Sequence, residues 1–305
     1  MSDGSGEALY VSPHADDVAF SVAAQLAREV AGGGRATLLT LFEPPEPERR
    51  AEDEAFARAF AVELLRGEWP DAIVRRRRYR SPAQLFAPLR ADEAPLVEAV
   101  RAALQARVDG GCRRVVAPLG VGGHVDHQIA HAACRALVGA EVRYYEDTPY
   151  VLTPFQLPRR LARLGARADG VSTDGVSTDG ARDATLERGT VRAELGAAAS
   201  SWLSAPLIQE RVGPRLRKLA VAAILTPEWT RWPSRSRAAA RRFSPSLVAG
   251  DEVARVKLDA IAAYPTQWRL FYRALDDWRV ALERYARAMG QPAVVERVWR
   301  EIDPA

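Results

Sequence analysis

Residues 8–17 of the chain read ALYVSPHADD, and this stretch decides the fold. The short apolar run at 8–13 ends in a polar turn, which is the pattern of a buried strand that runs into a site. Apolar residues then recur at helical spacing from Val18 to Val30, and three glycines at 32–34 end that segment. The chain therefore begins with a strand followed directly by a helix.

The same alternation continues through the first half of the chain. We predict further strands at 36–42, 73–79, 114–119 and 144–152, and further helices at 52–65 and 96–108. Strands that alternate with helices predict an α/β fold with a mainly parallel sheet covered on both faces. Such sheets bind their ligands beyond the carboxyl ends of the strands.

The second half of the chain is less regular. A tandem repeat, GVSTDGVSTD at 170–179, predicts a mobile surface loop over 169–181. The Arg- and Trp-rich stretch 188–242 favours a helical elaboration, while a lid over the site or an interfacial surface stays open. We therefore predict three parts: a core with the site at 1–153, a variable insertion or lid at 154–250, and a helical C-terminal part at 251–305 that packs on the core.

Composition limits the class of protein. A chain of 305 residues with 48% hydrophobic content can bury a full core. A nucleic-acid site would show basic residues clustered on one face with stacking aromatics between them, and with a net charge of only +4 we do not expect one. We expect the arginine run at 75–78 to be a solvated edge of the sheet. Two cysteines, Cys112 and Cys134, are too few for a disulfide framework or a thiolate metal site.

The sequence predicts a cytoplasmic location. No apolar run approaches the length of a membrane span, and the N-terminus has neither a basic flank nor an apolar signal core. Peripheral contact with a membrane stays open, and the sequence does not predict the oligomeric state.

Two short motifs at predicted strand ends carry the chemistry. They are PHADD at 13–17 and GGHVDH at 122–127, and they hold three of the four histidines in the chain. His14 follows a core strand, and Asp17 lies three residues later, so their side chains can converge. His127 arrives from another strand end. Two imidazoles and one carboxylate form a site that zinc accepts, with one position open for water.

The remaining polar residues of the motifs suit hydrolysis. Asp16 is placed to act as the general base toward water activated by the metal. His124 could offer an imidazolium N–H to the tetrahedral oxyanion. Asp126 could hold an imidazole in one tautomer and raise its pKa, so that the protonated ring assists the leaving amine.

Each motif alone has a simpler interpretation. A single histidine after a strand is often structural, and an Asp-Asp pair before a helix is often an N-cap. Their joint occurrence in a histidine-poor chain favours a metal site. His131 lies four residues after His127, so a two-histidine pair on one helix face stays open. We expect His131 to lie behind the ligands or in the core.

PHADD followed by the GxGxHVDH segment resembles the PIG-L/LmbE-like N-deacetylases, which act on N-acetylglucosaminyl compounds. The resemblance covers about the first half of the chain. It implies a Rossmann-like fold, one Zn²⁺ per chain and hydrolysis of an N-acyl aminosugar. The family's functional residues fall on the positions named above: ligands His14, Asp17 and His127, base Asp16, oxyanion-binding or acid histidine His124, and tuning carboxylate Asp126. The resemblance also suggests Arg50 as a substrate-binding residue.

The chain departs from the family pattern at three positions. Ala15 replaces a common proline, and Val18 replaces a common glutamate. Gly122 stands where some members carry a tyrosine, so His124 is expected to bind the oxyanion alone. Weaker similarities occur at Glu52-Asp53, at 145–150 and at 264–267.

The sequence thus predicts a zinc-dependent hydrolase that removes an N-acyl group, typically acetyl, from an aminosugar-containing small molecule or glycoconjugate. One alternative is a metal-dependent amidase or esterase that acts on a non-sugar metabolite. Another is a sugar- or nucleotide-binding protein without catalysis on the same fold. The first strand lacks the glycine fingerprint of dinucleotide binding, which argues against the second alternative.

Overall fold

The protein is described by a computed structural model that covers residues 7–43, 46–153, 156–168 and 241–302. Within these residues eight strands form one sheet. The strands are β1 (Ala8–Ser12), β2 (Ala36–Glu43), β3 (Glu63–Pro70), β4 (Arg114–Pro118), β5 (Glu141–Tyr145), β6 (Ala166–Ala168), β7 (Arg241–Ala249) and β8 (Val295–Ile302). Their order in the sheet is β3-β2-β1-β4-β5-β8-β7-β6.

Helices flank this sheet. The described ones are α1 (Asp17–Ala31), α2 (Pro47–Ala59), α3 (Ala72–Arg75), α4 (Pro82–Leu85), α5 (Ala94–Asp109), α6 (Val125–Arg135), α7 (Gln156–Leu164), α8 (Asp251–Ala262), α9 (Pro265–Phe271) and α10 (Leu275–Ala288). Among the helices of the described ranges, none has the length and apolar character needed to cross a membrane.

The strand order places a crevice between β1 and β4. Strands β1 to β5 run parallel, and Ala8 of β1 pairs with Ala36 of β2 on one side and with Arg114 of β4 on the other. The chain adds β2 and β3 to one side of β1, and β4 and β5 to the other. The carboxyl ends of β1 and β4 therefore meet at the topological switch point, where open α/β sheets bind ligands. The predicted α/β fold with a mainly parallel sheet is confirmed.

Burial explains why β1 and β4 occupy the centre. All five residues of β1 are buried, and so are the last four of β4. A strand that is apolar on both faces fits only where helices cover both sides of the sheet. Helix α8 packs along α1 on one of these sides. The two strands thus form a rigid base for the residues that follow them.

Three predicted elements differ from the structure. The helix predicted over 52–65 ends at Ala59, and the edge strand β3 follows it. The strand predicted over 73–79 is instead α3 and a 3-10 turn, because the Asp71 carboxylate accepts the Ile73 N–H at 3.1 Å and starts a helix. The strand predicted over 144–152 begins at Glu141 and ends at Tyr145.

The C-terminal part is not wholly helical. Strand β8 runs antiparallel to both β5 and β7 and continues the sheet beyond the predicted core. The predicted mobile loop at 169–181 and the region around Trp202, Trp229 and Trp232 lie outside the described residues. The division of the chain at 153 and 250 stays a prediction.

Candidate metal centre and active site

The turn after β1 orients His14 and Asp17 toward the same point. The Ser12 hydroxyl donates to the His14 carbonyl at 2.5 Å and accepts the Val18 N–H at 3.1 Å. The His14 N–H donates to Asp17 Oδ2 at 2.8 Å. These bonds close the strand-to-helix turn, so the residues of the first motif occupy fixed positions at the sheet edge.

The turn after β4 depends on glycines. Gly120, Gly122 and Gly123 all have positive φ, near 80°, a region that other residues rarely adopt. Helix α6 then begins with His124 as its N-cap, and its Nδ1 accepts the Asp126 N–H at 3.3 Å. This turn carries the second motif to the same sheet edge as the first.

The three predicted metal ligands come together in space. Oδ2 of Asp17 lies 3.1 Å from Nδ1 of His14 and 3.3 Å from Nε2 of His127. Ligands about 2.0–2.2 Å from a tetrahedral zinc ion lie roughly 3.4 Å from one another. All three residues are buried. The donor types and the two distances from Asp17 Oδ2 are therefore compatible with a metal ion.

Each ligand histidine meets a carboxylate at its other ring nitrogen. Nε2 of His14 lies 3.2 Å from Oδ2 of Asp126, and Nδ1 of His127 lies 2.6 Å from Oδ1 of Asp147. The ring nitrogen that faces the carboxylate keeps its proton and donates it in a hydrogen bond. The other ring nitrogen is then left with a lone pair that can bind a metal. A metal ion bound here would therefore face Nδ1 of His14 and Nε2 of His127.

Among the described residues, two groups have three donor atoms within 4.8 Å of one another. They are His14, His124 and His127, and His14, Asp71 and Asp126. The second group uses a carboxylate that already binds a guanidinium, since Arg75 Nη2 donates to Asp126 at 2.7 Å. A cation beside Arg75 would be repelled, so this group is a poor metal site.

The two supporting carboxylates are themselves held in place. Besides Arg75, Asp126 accepts the Ala72 N–H at 2.9 Å. Asp147 Oδ2 accepts the N–H groups of Gly120 and Val121, both at 2.7 Å. Burial opposes ionisation of Asp126, but the hydrogen bond with His14 and nearby positive charge outweigh it and hold its pKa well below the usual range.

Asp17 has the charge state that a cation needs. Burial raises its pKa, but the positive charge of His127 and the hydrogen bonds and charge of His14 outweigh burial and lower the pKa of Asp17 to about 2. Asp17 is therefore a carboxylate at neutral pH, the form that binds a metal.

Asp16 stands beside this cluster, next to the predicted ligand Asp17 in the chain. It occupies the N-cap position of α1, yet its side chain makes no capping hydrogen bond, unlike the simple N-cap interpretation. Burial and then the negative charge of Asp17 raise the pKa of Asp16 to about 6, while Arg49, 3.7 Å away, opposes that shift. Such a carboxylate is ionised at neutral pH and can still accept a proton.

His124 differs from the sequence-based expectation. Burial and the positive charge of His14 hold the pKa of His124 well below its usual value, so the ring is neutral rather than an imidazolium. The negative charge of Asp126 opposes this shift without outweighing it, and the oxygens of Asp126 are engaged by His14, Arg75 and Ala72. Since Nδ1 of His124 accepts a backbone N–H, the ring proton sits on Nε2, which remains a donor.

The arginines also differ from expectation. Arg50 binds Glu43 at 2.7 Å and is half exposed, whereas its neighbour Arg49 approaches Asp16; a substrate-binding role for Arg50 stays a prediction. The arginine run is not simply a solvated edge. Its first member, Arg75, reaches Asp126, and Arg78 binds the buried carboxylate of Glu93 at 2.8 Å.

His131 lies away from the candidate ligands. Its Nδ1 is 3.1 Å from the Pro118 carbonyl oxygen, and its ring packs against Tyr144. It belongs to neither of the donor groups found among the described residues. This arrangement argues against a two-histidine metal pair on α6.

Tyr150 fills the space above Gly122. A Cβ atom on Gly122 would lie 2.4 Å from Cγ of the tyrosine. The ring packs edge-on against His127, with ring centroids 5.8 Å apart, and against Phe86 at 5.9 Å. The sequence marks Tyr150 only as part of a weak family similarity, because its place over Gly122 depends on a loop 28 positions later in the chain.

The remaining family similarities also meet in space. Tyr264 donates to Asp53 at 2.8 Å, and the Thr266 N–H donates to Glu52 at 2.7 Å. These contacts tie the start of α9 to α2, the helix that carries Arg49. The C-terminal segment therefore helps to fix one wall of the site.

Comparison with known proteins supports this description. No family model matches the chain. A curated protein, 2'-N-acetylparomamine deacetylase from Streptomyces fradiae, is 37% identical over 167 residues, which is 48% of this chain and 58% of the relative. The match thus spans less than two thirds of the relative's length.

Solved structures resemble the whole fold. The A40926 pseudoaglycone deacetylase Dbv21 is 21% identical with a TM-score of 0.57, and the two chains cover 99% of each other. A deacetylase of the teicoplanin pathway is 19% identical with a TM-score of 0.60 and 98% coverage of both chains. Fold and site define a Rossmann-like α/β protein with a candidate histidine–carboxylate metal centre. Its two motifs resemble those of the PIG-L/LmbE-like deacetylases, and the chain is similar to one named deacetylase in sequence and to two others in fold.

Proposed function

We propose that the protein is a zinc-dependent hydrolase that removes an N-acyl group, most simply acetyl, from an aminosugar-containing small molecule or glycoconjugate. The observation that carries this proposal is the convergence of His14 Nδ1, Asp17 Oδ2 and His127 Nε2, with spacings of 3.1 and 3.3 Å about the shared carboxylate oxygen. One Zn²⁺ per chain would bind there, and it would supply Lewis-acid chemistry that activates water and polarises the acyl carbonyl.

Asp16 is the proposed general base. Its carboxylate adjoins the ligand Asp17, makes no capping hydrogen bond, and has a pKa of about 6. It can therefore take a proton from a water molecule as the water oxygen bonds to the acyl carbon. The same proton can then pass to the sugar nitrogen when the carbon–nitrogen bond breaks, so Asp16 ends the cycle as a carboxylate.

His124 is the proposed donor to the acyl oxygen. In its neutral form the proton lies on Nε2, and a neutral imidazole can donate a hydrogen bond to a developing negative charge. Donation from a neutral ring does not require the protonated state that the sequence suggested. Asp126 and Asp147 act indirectly, since each fixes the ring of one ligand histidine.

The relatives support the substrate class. The curated relative is named for an N-acetylated aminoglycoside, and the two solved structures are named for deacetylases of glycopeptide antibiotics. Their common chemical feature is an amide on an aminosugar within a larger natural product. We propose the same class here; a cytoplasmic location remains a prediction.

The test is release of the free amine and the carboxylic acid by the zinc-loaded protein. The panel would hold an N-acetylated aminoglycoside, an N-acylglucosaminyl glycopeptide, free N-acetylglucosamine and a non-sugar N-acetyl amide. We expect turnover of at least one sugar amide, and loss of about 10²–10⁴-fold in Asp16→Asn with the metal retained. Turnover confined to the non-sugar amide would instead support the amidase alternative, and an inactive but sugar-binding protein would support the binding alternative.

A further inference from the structure

Helix α1, which begins with Asp17, is broken near its middle. The backbone of Val22 has φ −144° and ψ 23°, outside the helical range, and the helix continues on either side of it. Such a break leaves carbonyl groups before it and N–H groups after it without partners inside the helix. Residues 18–24 are buried, so these groups need partners from other segments.

A buried ion pair from the C-terminal part supplies those partners. The carboxylate of Glu296, on β8, accepts the N–H groups of Ala24 at 3.0 Å and Gln25 at 2.9 Å. Nζ of Lys257, on α8, donates to the carbonyl oxygen of Ser21 at 2.9 Å and lies 3.5 Å from Glu296. Burial lowers the pKa of Lys257, and the charge of Glu296 opposes that shift. The pair therefore binds the helix on both sides of the break.

Stability alone is a weak reason for this pair. Lys257 and Glu296 are both buried, and two charges taken out of water seldom stabilise a protein more than apolar side chains of similar volume. A buried pair can instead fix one arrangement of the segments that it joins. The segments joined here are the two halves of α1.

The half of α1 before the break carries the acidic residues of the first motif. It begins at Asp17 and ends at Ser21, so Lys257 binds the end opposite to the predicted metal ligand. The Phe20 N–H donates to the carbonyl oxygen of Asp16 at 2.9 Å. A change in the direction of this half would therefore move both carboxylates relative to the two predicted ligand histidines.

Ser21 also connects this half of α1 to the loop after β5. Its hydroxyl oxygen accepts the Thr148 N–H at 3.1 Å. Thr148 directly follows Asp147, whose carboxylate lies 2.6 Å from Nδ1 of His127. The serine thus binds Lys257 through its carbonyl group and the loop that supports a ligand histidine through its hydroxyl group.

We propose that Lys257 and Glu296 are positioning residues of the active site. By filling the break in α1 they set the direction of its first half and, through Ser21, the place of the loop after β5. They act only through other residues, namely Asp17 and Asp147. This inference rests on the proposed function, because the geometry that the pair maintains is that of the metal ligands.

The experiment compares Lys257→Met with Val253→Ala. Methionine has a similar length but no donor, so Lys257→Met removes the link to Ser21. Val253 is buried one helical turn earlier on α8, so its truncation weakens packing of the same helix and keeps the ion pair. We expect a lower melting temperature in both variants.

Only Lys257→Met should also alter the metal centre. We expect it to bind zinc about 10–100-fold more weakly than the wild type. Its kcat should fall about 10–100-fold, with KM changed less than about threefold. The visible absorption spectrum of the cobalt-loaded protein, which reports ligand geometry, should change in Lys257→Met and stay as in the wild type in Val253→Ala.

A second variant, Ser21→Ala, keeps the ion pair and removes only the hydroxyl group that binds the Thr148 N–H. Its zinc affinity should fall about three- to tenfold. In the metal-free proteins, the Thr148 amide hydrogen should exchange with solvent faster in Ser21→Ala and in Lys257→Met than in the wild type. This exchange measurement depends neither on metal nor on turnover.

Losses of zinc affinity and kcat in Lys257→Met no larger than those in Val253→Ala would overturn the positioning role and leave the proposed function in place. If Lys257→Met does not fold, unchanged zinc affinity and unchanged Thr148 exchange in Ser21→Ala would overturn it instead. A wild type that hydrolyses no sugar amide would overturn the proposed function. The exchange of Thr148 in metal-free Lys257→Met would then still decide whether the pair holds the loop.

Discussion

Oδ1 of Asp147 lies 2.6 Å from Nδ1 of His127, while its other oxygen accepts two backbone N–H groups from the turn after β4. This carboxylate therefore joins three parts of the site: the ligand histidine, the glycine turn and the loop that carries Tyr150. The sequence marks Asp147 only within the weak family similarity at 145–150, yet in the structure its carboxylate fixes the tautomer of a predicted metal ligand.

Changing Asp147 to Asn should weaken zinc binding about 10–100-fold. The amide can still accept the backbone N–H groups through its oxygen, but its NH₂ would then face Nδ1 of His127. The ring would have to move its proton to Nε2, the atom that faces the metal. Competition with a chromophoric chelator measures the affinity, and unchanged affinity in a folded variant would remove Asp147 from this role.

The pH dependence of hydrolysis should follow Asp16. The base acts as a carboxylate, so kcat/KM should fall as the pH drops through the pKa of Asp16. That pKa is raised to about 6 by burial and by Asp17. A cation beside Asp17 favours the ionised form of Asp16. It therefore moves this fall in kcat/KM, the acid limb of the pH profile, to lower pH. We therefore expect the acid limb at or below about pH 6 in the zinc-loaded enzyme.

Substitutions of Arg49 and Arg50 should have different effects on the pH profile of kcat/KM. Arg49 lies 3.7 Å from Asp16 and lowers its pKa, so Arg49→Gln should move the acid limb upward by about one pH unit. Arg50→Gln should leave the limb in place, because Arg50 binds Glu43 instead. A rise in KM confined to Arg50→Gln would support the substrate-binding role predicted from the family. A limb that moves only in Arg50→Gln would contradict the structure.

Substitution of Arg75 should weaken zinc binding or activity, whereas substitution of the nearby Arg77 should not. Arg75→Gln leaves the buried carboxylate of Asp126 with one partner fewer, and Asp126 in turn orients His14. We expect a 10–100-fold loss of zinc affinity or activity and a lower melting temperature. Arg77 is exposed in the same run, so Arg77→Gln is the matched control. Equal behaviour of the two variants would mean that the arginine run is only a solvated surface.

Gly122→Ala should be more harmful than Gly111→Ala. Both glycines have positive φ, at 83° and 110°, so alanine strains the backbone by about 1–2 kcal/mol at each. Only at Gly122 does the added methyl group collide with Tyr150, because nothing lies within 4 Å at Gly111. Thermal unfolding and kcat of the two variants measure this difference. Comparable losses of stability and turnover would contradict the close contact.

Much of the central fold was predictable because buried strands have a continuous apolar sequence pattern. Strands β1, β2 and β4 are apolar on both faces, and glycines end the first helix at the predicted place. The predicted ligand set rests on the same pattern, since His14 and His127 come after central strands. Parallel strands carry such residues to one edge of a sheet whatever the details of the loops.

Other features depend on contacts that a single sequence does not reveal. Strand β3 is a polar edge strand that pairs only with β2 among the described residues, so it lacks a hydrophobic pattern. The arginine run lies in a helix and a turn rather than in a strand. Asp71 caps the helix, and carboxylates from distant segments bind the arginine side chains. The sequence leaves open which imidazole Asp126 contacts for a similar reason, because His14 and Arg75 reach it from other segments.

The central claim is that His14, Asp17 and His127 hold one zinc ion. The most direct measurement is the zinc content of the purified protein beside two matched variants, His127→Ala and His131→Ala, each checked for folding by circular dichroism. His131 lies on the same helix, one turn further along, and faces Pro118 and Tyr144 instead. The structure predicts one zinc per chain in the wild type and in His131→Ala, and none in His127→Ala. A wild type that binds no divalent metal after reconstitution, or zinc that is lost with His131 and kept without His127, would contradict the account.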